Sequence, residues 1–195
     1  MARRTDLYHV GGERVVSVTE ALGLAGVVDF SRVDPEVLEV ARQRGQLLHQ
    51  WLEMLTLGFI TPADEPDPAV APMVAAYLRF LEESRFEPAE GGTEQVVVNA
   101  AYRYAGTIDL RGRLNGRPAI IDYKGVARVG AATALQLAGY ALALPEPHMR
   151  FALHLRRDGS HRLIPYTDRQ DAHDFLACVR VASWKLRAGL ARLEE

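Results

Sequence analysis

The dipeptide Asn115-Gly116 constrains the fold of this chain more than any other local feature. It stands inside the stretch Tyr104–Tyr140, between two segments with the character of β-strands. Asn-Gly is the strongest short-range signal for a β-hairpin, because both residues tolerate the positive φ that a type I′ turn demands. With these two residues as the turn, Leu114 faces Arg117, and the register of both strands is fixed from there.

The hairpin register brings acidic and basic side chains together. Counted back from the turn, Asp109 faces Asp122 and Thr107 faces Lys124. Cross-strand partners project to one side of a sheet with Cβ atoms about 5 Å apart, and Lys124 follows Asp122 by two residues, so it projects to that side too. Two opposed carboxylates repel, which predicts a divalent cation between them. A β-bulge beside the site would shift the pairing and still leave the carboxylates close.

A second interpretation explains the same residues without a metal. Lys124 could form a buried ion pair with one of the two aspartates, and the spacing alone favours neither interpretation over the other. In the metal interpretation, Asp109 and Asp122 supply the oxygen ligands that Mg²⁺ prefers, and the backbone carbonyl of Tyr123 is a further ligand. Lys124 would orient or deprotonate an attacking water, or stabilise charge on a phosphate oxygen.

The other periodic segments predict a mixed α/β order. They are a strand at Glu13–Val18, a helix capped by Ser17 or Thr19 and ending near Gly26, a helix opened by Asp34-Pro35, a helix at Ala69–Ser84 ended by the run EPAEGG, a strand at Thr93–Asn99, the hairpin, a helix at Ala131–Leu144, strands at Met149–Arg156 and His161–Tyr166, and a last helix capped by Thr167 or Asp168. This order predicts an α/β fold with a central mixed sheet flanked by helices, with residues 1–195 forming one domain.

Composition excludes several classes of protein. The formal net charge is −2, so no global basic field draws the chain to nucleic acid or to a membrane. The single cysteine, Cys178, excludes a disulfide framework and a four-cysteine cluster, and its apolar surroundings predict a buried thiol. The first residues lack a signal-peptide core and no apolar run reaches membrane-spanning length, so we expect a cytoplasmic protein.

Four further polar residues are candidates for the site. Gln136 and Tyr140 are four apart on a predicted helix and share a face. His49 lies on a half-apolar helix, where a packed or surface role is the more common outcome. Glu94, early in the strand before the hairpin, is another acid that could reach the site, although a solvated surface position is slightly preferred.

In combination, these residues resemble the RecB-type branch of the PD-(D/E)xK nuclease superfamily, from about Val15 to Tyr140. The motifs are His49 in RGQLLHQWLE, Asp109 in AGTIDL, Asp122 and Lys124 in IIDYKG, and Gln136 with Tyr140 in QLAGY. The opening SVTEALGLAGVVDF also resembles the start of phage-type and mitochondrial-maintenance-type exonucleases of that superfamily. Relatives that carry an iron–sulfur cluster use four cysteines, so this chain cannot belong to that subclass.

The resemblance implies a restriction-endonuclease-like core and a DNA nuclease that depends on Mg²⁺ or Mn²⁺. By analogy Asp109 and Asp122 hold the metal, Lys124 assists the water, and His49 adds a ligand. Gln136 and Tyr140 would orient the active-site residues or contact the DNA backbone. Arginines near the site in sequence are further candidates for backbone contacts: Arg103, Arg111, Arg113, Arg117 and Arg128.

The function expected from the resemblance is that of an exonuclease in recombination, repair or phage DNA metabolism, encoded by a bacterium or a phage. Two alternatives stay open. One is a catalytically weak nucleic-acid-binding subunit of a larger complex, and the other is an endonuclease. The sequence decides neither the polarity of digestion, nor the preference for one or two strands, nor DNA against RNA. It also leaves open the number of metal ions and the oligomeric state.

Overall fold

A computed structural model of the protein describes residues 8–193. Its helices are α1 (Val18–Ala25), α2 (Pro35–Thr56), α3 (Ala71–Ser84), α4 (Ala132–Leu142) and α5 (Gln170–Arg187). Its strands are β1 (His9–Val10), β2 (Glu13–Arg14), β3 (Val16–Ser17), β4 (Phe86–Asn99), β5 (Tyr104–Leu114), β6 (Arg117–Lys124), β7 (Met149–Leu155) and β8 (His161–Tyr166).

One mixed sheet of six strands organises the protein, in the order β3-β5-β6-β7-β8 with β4 paired to the second edge of β5. The first edge of β5 is shared between two strands. β3 pairs with it in parallel at Tyr104 and Ala105, and β6 pairs with it antiparallel from Leu110 to Leu114. Within residues 8–193, these ladders leave the segment 106–109 of β5 without a strand partner on that edge.

Helices cover both faces of the sheet, as the sequence predicts. On one face, α2 and α3 pack on Leu110, Ile121 and Tyr123. On the other face, α1, α4 and α5 pack on Ile108 and Ile120. This α/β arrangement is consistent with a restriction-endonuclease-like core. Cys178 is buried in the second layer, which confirms the expected burial of its thiol.

The hairpin turn forms as predicted, but the ladder is shorter than predicted. Asn115 and Gly116 have φ of 51° and 74°, and Leu114 pairs with Arg117. The pairing of β5 with β6 ends at Leu110 and Ile121, one step before the two aspartates. The prediction that Thr107 faces Lys124 is therefore wrong: Thr107 pairs with Val96 of β4, and Lys124 with His154 of β7.

The predicted ends of two other elements also need correction. The EPAEGG run belongs to β4, which begins at Phe86 instead of Thr93 and absorbs the run in a register shift between Pro88 and Thr93. The N-cap of α5 is Arg169, so the prediction of Thr167 or Asp168 at this position is wrong. Asp168 still lies beside the start of the helix, where its Oδ1 accepts a hydrogen bond from the Gln170 amide (2.8 Å). The extended start of β4 is packed against α3, where the rings of Phe86 and Phe80 lie with centroids 6.0 Å apart.

The predicted strand at Glu13–Val18 is divided into β2 and β3, which belong to different sheets, whereas the predicted starts of the first two helices are confirmed. Ser17 caps α1 in a capping box with Glu20, and Gly26 ends the helix in the left-handed conformation. Asp34 caps α2 and Pro35 is its first residue. Across residues 8–193, no helix combines the length and the apolar character needed to cross a membrane.

Gly106, in the part of β5 without a partner on its first edge, is required by close packing. A Cβ at this position would lie 2.6 Å from Tyr140 Cε1 and 3.0 Å from Val18 Cγ2. We expect Gly106→Ala to lower the free energy of unfolding by about 1–3 kcal/mol, because overpacking a buried contact forces its neighbours to move. Urea denaturation measures this change.

Gly23→Ala is the matched control for that substitution. Gly23 lies in α1, and a Cβ there would meet nothing within 4 Å. Alanine at a helix position is expected to stabilise by up to about 1 kcal/mol. A Gly106→Ala protein as stable as the wild type would contradict the packing described for β5, Val18 and Tyr140.

Candidate functional site

Asp109 lies at the fork where β5 and β6 separate. Its Oδ2 accepts a hydrogen bond from the Tyr123 amide (2.6 Å), and its side chain is only 10% exposed. The carboxylate therefore accepts a hydrogen bond from a backbone N–H of β6 that lies beyond the end of the ladder between β5 and β6. In an extended strand, the N–H and C=O of one residue point to the same side, so the Tyr123 carbonyl also faces the fork.

The alternation of side chains along β5 breaks at Asp109. Ile108 packs in the layer of α1, α4 and α5, whereas Leu110, two residues on, packs in the opposite layer with α2 and α3. Residues two apart share a face in a regular strand, so the chain is irregular between them. This irregularity lets the Asp109 side chain be approached from both layers, by His49 of α2 on one side and by Lys124 on the other.

Asp122, Lys124, Gln136 and Tyr140 form a continuous polar chain from β6 to α4. The Lys124 ammonium lies 2.7 Å from Asp122 Oδ2 and donates to Gln136 Oε1 (3.0 Å). Gln136 Nε2 in turn donates to the Tyr140 hydroxyl (3.0 Å). The expected shared helix face of Gln136 and Tyr140 is thus realised, and both residues hold the lysine in place.

The ion pair of Lys124 with Asp122 is present, as the second interpretation of the sequence predicts. Asp122 is 2% exposed, and its Oδ2 lies 2.7 Å from the Lys124 ammonium. Besides burial, the negative charges of Asp122 and Glu94 both raise the pKa of Asp109, so three carboxylates act on one another here. Buried carboxylates gathered in this way are costly unless positive charge lies among them.

His49 and Glu94 complete the cluster around Asp109. His49 Nδ1 lies 3.5 Å from Asp109 Oδ1 and 3.7 Å from Glu94 Oε1, and ligand atoms of all three residues lie within 4.8 Å of one another. The His49 ring also packs edge-on against Tyr123, with centroids 5.6 Å apart. This His, Glu and Asp cluster could hold a metal ion.

The expectation that Glu94 is merely a surface residue is wrong, because β4 delivers it to the fork. Its neighbours Thr93 and Gln95 pair with Leu110 and Ile108, so Glu94 lies opposite Asp109. The sequence signal for this position is the short turn between β4 and β5. When Asn99 is placed opposite Tyr104, the register of the two strands puts Glu94 opposite Asp109.

Glu94 adopts a backbone conformation that glutamate rarely takes. Its φ is +48°, in the left-handed region, in the middle of a strand. Such residues cost about 1–3 kcal/mol and persist where the surrounding structure imposes them, often at functional sites. Here the strained conformation accompanies a carboxylate aimed at His49 and Asp109.

The charges at the fork shift the titration of its members. Burial raises the pKa of the Asp109 carboxyl to about 7; His49 opposes this shift, and Asp122 and Glu94 support it. Burial lowers the pKa of His49, but Asp109 and Glu94 outweigh it and raise that pKa to about 9. Burial likewise opposes protonation of Lys124, yet Asp122 raises its pKa, so the side chain is an ammonium ion at neutral pH.

These donors fit a divalent cation. Carboxylate and carbonyl oxygens suit Mg²⁺ and Mn²⁺, and an imidazole suits Mn²⁺ and other transition metals better than Mg²⁺. Asp109, Asp122, Glu94 and the Tyr123 carbonyl offer oxygen, and His49 offers nitrogen. The fork therefore presents more negative charge and more ligand atoms than the Lys124 ion pair can use.

A cavity of about 340 Å³ opens in front of the fork. The unpaired part of β5 forms its floor at Gly106 and Thr107, and its walls come from the start of α1, one side of α2, and Glu94. Tyr8 closes one corner through a hydrogen bond between its hydroxyl and Thr107 Oγ1 (2.7 Å). The gap in the sheet is thus the entrance to the carboxylate cluster.

The predicted arginines do not converge on this cavity. Arg103 pairs with Glu13, Arg111 donates to Gln95 Oε1 (2.6 Å), and Arg113 donates to the Gly116 carbonyl (2.6 Å). Arg117 lies beside the hairpin turn, at the end of β6 away from the fork. Arg128 is exposed in the loop that follows Lys124, outside the cavity wall.

Comparison with known proteins finds similarity only among solved structures. No protein-family model matches the chain, and no curated protein matches it. The crystal structure of SSO0001 is 14% identical, with a TM-score of 0.48 over 93% of this chain and 81% of that chain. The structure of LHK-Exo in complex with dAMP is 13% identical, with a TM-score of 0.42 over 91% of this chain and 95% of that chain.

Cation binding at the fork should strengthen as the pH rises. A proton on Asp109, lost through about pH 7, or on His49, lost through about pH 9, competes with the cation for the same atoms. Isothermal titration calorimetry with Mn²⁺ between pH 6 and 9.5 should show a rising affinity and a release of protons on binding. His49→Ala should remove the part of the rise above about pH 8.

His173→Ala is the control, since His173 is exposed on α5, in the helix layer that does not supply His49. An Mn²⁺ affinity that stays constant over this pH range, or that falls as the pH rises, would contradict the assignment of Asp109 and His49 as ligands.

Proposed function

We propose that the protein is a metal-dependent DNA nuclease that hydrolyses phosphodiester bonds from free ends. The cluster of His49, Glu94 and Asp109 beside the ion pair of Asp122 with Lys124 is the observation that carries the proposal. An ion pair that served stability alone would not require Asp109 and Glu94 in addition to Asp122.

Asp109, Asp122, the Tyr123 carbonyl and His49 would hold Mg²⁺ or Mn²⁺, and Glu94 adds a ligand. When bound, the cation would supply positive charge to the scissile phosphate and lower the pKa of water. Glu94 extends the ligand set predicted from the sequence. Its position opposite Asp109 lets both carboxylates and the His49 imidazole serve one ion.

Lys124 acts as a charged donor in this mechanism. Its ammonium is anchored by Asp122 and by Gln136 Oε1, so its remaining donor capacity has a fixed direction at the fork. Against the effect of burial, Asp122 raises the pKa of Lys124, and in its ammonium form the side chain would stabilise charge on a phosphate oxygen or orient the attacking water. Gln136 and Tyr140 position this lysine.

The cavity supports action at a chain end. Its volume of about 340 Å³ lies at the small end of ligand pockets, and α1, α2 and β4 wall it on several sides. A space of this size suits one nucleotide at the end of a strand. This favours an exonuclease over the alternative of an endonuclease.

The form of the DNA substrate tests the proposed exonuclease activity. With Mg²⁺ or Mn²⁺, an end-labelled linear DNA should be degraded while a covalently closed circle of the same sequence persists. EDTA should stop the reaction because it removes the cation that offsets the phosphate charge. Gel analysis of the two substrates in one tube measures both effects.

Three results, the last of them measured by a binding assay on the same DNA, would overturn the proposal in different ways. Degradation in excess EDTA would exclude the metal mechanism. Rapid cutting of the closed circle would show an endonuclease. Binding of DNA without any hydrolysis would favour the catalytically weak binding subunit.

Substitutions at the fork should separate catalysis from folding. Lys124→Ala and Asp122→Asn should each lower turnover by at least about a hundredfold, because they remove charge stabilisation in the transition state. Glu94→Gln should weaken Mn²⁺ binding. Circular dichroism should show a folded protein in each case.

Lys185→Ala is the matched control, since Lys185 is the other lysine of the chain and donates to the Leu24 carbonyl (2.6 Å). It should keep its rate once its folding is verified. Near-normal turnover in the Lys124→Ala protein, with contaminating nuclease excluded, would mean that the reacting site lies elsewhere.

A further inference from the structure

Tyr123, the residue between Asp122 and Lys124, contacts two candidate ligands at once. Its amide donates to Asp109 Oδ2 (2.6 Å), and its ring packs edge-on against the His49 imidazole with centroids 5.6 Å apart. These two ligands come from different elements, β5 and α2, and His49 Nδ1 lies 3.5 Å from Asp109 Oδ1. One residue of β6 therefore bears on the placement of both ligands.

A chain of hydroxyl groups fixes the Tyr123 ring through its hydroxyl. This hydroxyl donates to the Tyr77 hydroxyl of α3 (3.3 Å), which lies 2.6 Å from Thr56 Oγ1 at the end of α2. Thr56 Oγ1 donates to the Leu52 carbonyl (2.7 Å), and this bond uses its one hydrogen. Tyr77 is then the donor to Thr56, so every hydroxyl of the chain donates once. The hydroxyl chain runs from β6 through α3 to α2, the helix that carries His49.

The two tyrosines of the hydroxyl chain lie in an apolar layer, where phenylalanine would serve packing equally well. Tyr77 is 0% exposed and Tyr123 is 3% exposed, among the apolar side chains of α2 and α3. A buried hydroxyl is unfavourable unless it is hydrogen-bonded, so it adds little to stability beyond what an apolar ring gives. Burial raises the pKa of both phenols, so both keep the proton that the chain needs. What the hydroxyls add to packing is a fixed direction for each ring.

The contact with Tyr123 is the one contact of the His49 ring described above that a bound cation would leave unchanged. The His49 side chain is 35% exposed at the cavity, and its Nδ1 lies near carboxylate oxygens of Asp109 and Glu94. A nitrogen that binds a cation can no longer donate a hydrogen to those oxygens. With a cation present, the edge-on packing on Tyr123 therefore remains to set the orientation of the imidazole.

We propose that the Tyr123 side chain, held by the hydroxyl chain, is a positioning group that orients His49 toward a cation at the fork. The inference rests on the cation binding in the proposed function and gives a role to side chains outside the ligand set. Groups that orient a metal-binding histidine commonly contribute about ten- to hundredfold to metal affinity. Because an imidazole suits Mn²⁺ whereas Ca²⁺ takes oxygen ligands, loss of this orientation should weaken the binding of Mn²⁺ selectively.

Isothermal titration calorimetry of the full chain with Mn²⁺ and with Ca²⁺ tests this role. Tyr123→Leu removes the ring and the hydroxyl, whereas Tyr123→Phe and Tyr77→Phe keep the rings and break the hydroxyl chain. Tyr104→Phe is the matched control, because Tyr104 is also 0% exposed and its hydroxyl donates to the Gly139 carbonyl (2.8 Å) in the opposite helix layer. Urea denaturation measures the stability of each variant separately from its metal affinity.

Tyr123→Leu should lower the Mn²⁺ affinity by about ten- to hundredfold, and each phenylalanine variant of the hydroxyl chain by about two- to tenfold. The Ca²⁺ affinity should change by less than about twofold, since the oxygen ligands stay in place. Tyr104→Phe should lose similar stability and keep both affinities. In a His49→Ala background, the tyrosine substitutions should weaken Mn²⁺ binding no further, because the group through which they act is gone.

The same measurements can overturn the inference. A loss of affinity that is equal for Mn²⁺ and Ca²⁺, or that persists in the His49→Ala background, would mean that the tyrosines only support the fold. Unchanged Mn²⁺ affinity in both Tyr123→Phe and Tyr77→Phe would also overturn it, even if Tyr123→Leu did not fold. A wild type that shows the expected Mn²⁺ binding but leaves DNA intact would refute the proposed function and not the inference. A wild type that binds no Mn²⁺ would refute both.

Discussion

The hydrogen bond from the Tyr123 amide to Asp109 Oδ2 is the contact on which the site depends. It forms where the ladder between β5 and β6 ends, and it ties the two strands together through a side chain in place of backbone. The opening that results exposes the floor of the cavity and brings the carboxylates of β4 and β5 together beside His49, with the charge of Asp122 on β6 acting on Asp109. A regular ladder would have closed this gap.

The same opening explains why helices from both layers reach the site. α2 brings His49 to Asp109 from one face of the sheet, and α4 brings Gln136 to Lys124 from the other. In a closed sheet these helices would be separated by the strands. Two backbone positions beside the opening are unfavourable for most side chains. Glu94 has a left-handed φ, and Gly106 has no room for a side chain.

Local signals in the sequence predicted much of this fold. Asn115-Gly116 set the turn, Ser17 and Asp34 the helix starts, and the two strands after α4 were found with nearly their observed ends. These features depend on the conformational preferences of a few neighbouring residues. The convergence of the predicted polar residues followed from the hairpin register together with the family resemblance.

Features set by distant parts of the chain were missed. The ladder between β5 and β6 stops at Leu110, and β3 pairs with the same edge of β5 only at Tyr104 and Ala105. No local pattern near Asp109 predicts this gap. Glu94 resembles a surface acid until β4 is placed on β5.

The binding of one cation at the fork is the central claim, and anomalous diffraction from a crystal soaked in Mn²⁺ tests it most directly. We expect a single strong anomalous peak within about 2.0–2.6 Å of oxygens of Asp109 and Asp122. The ion should also contact His49 or Glu94. A fork without a peak at saturating Mn²⁺, with the Lys124 ion pair to Asp122 unchanged, would contradict it.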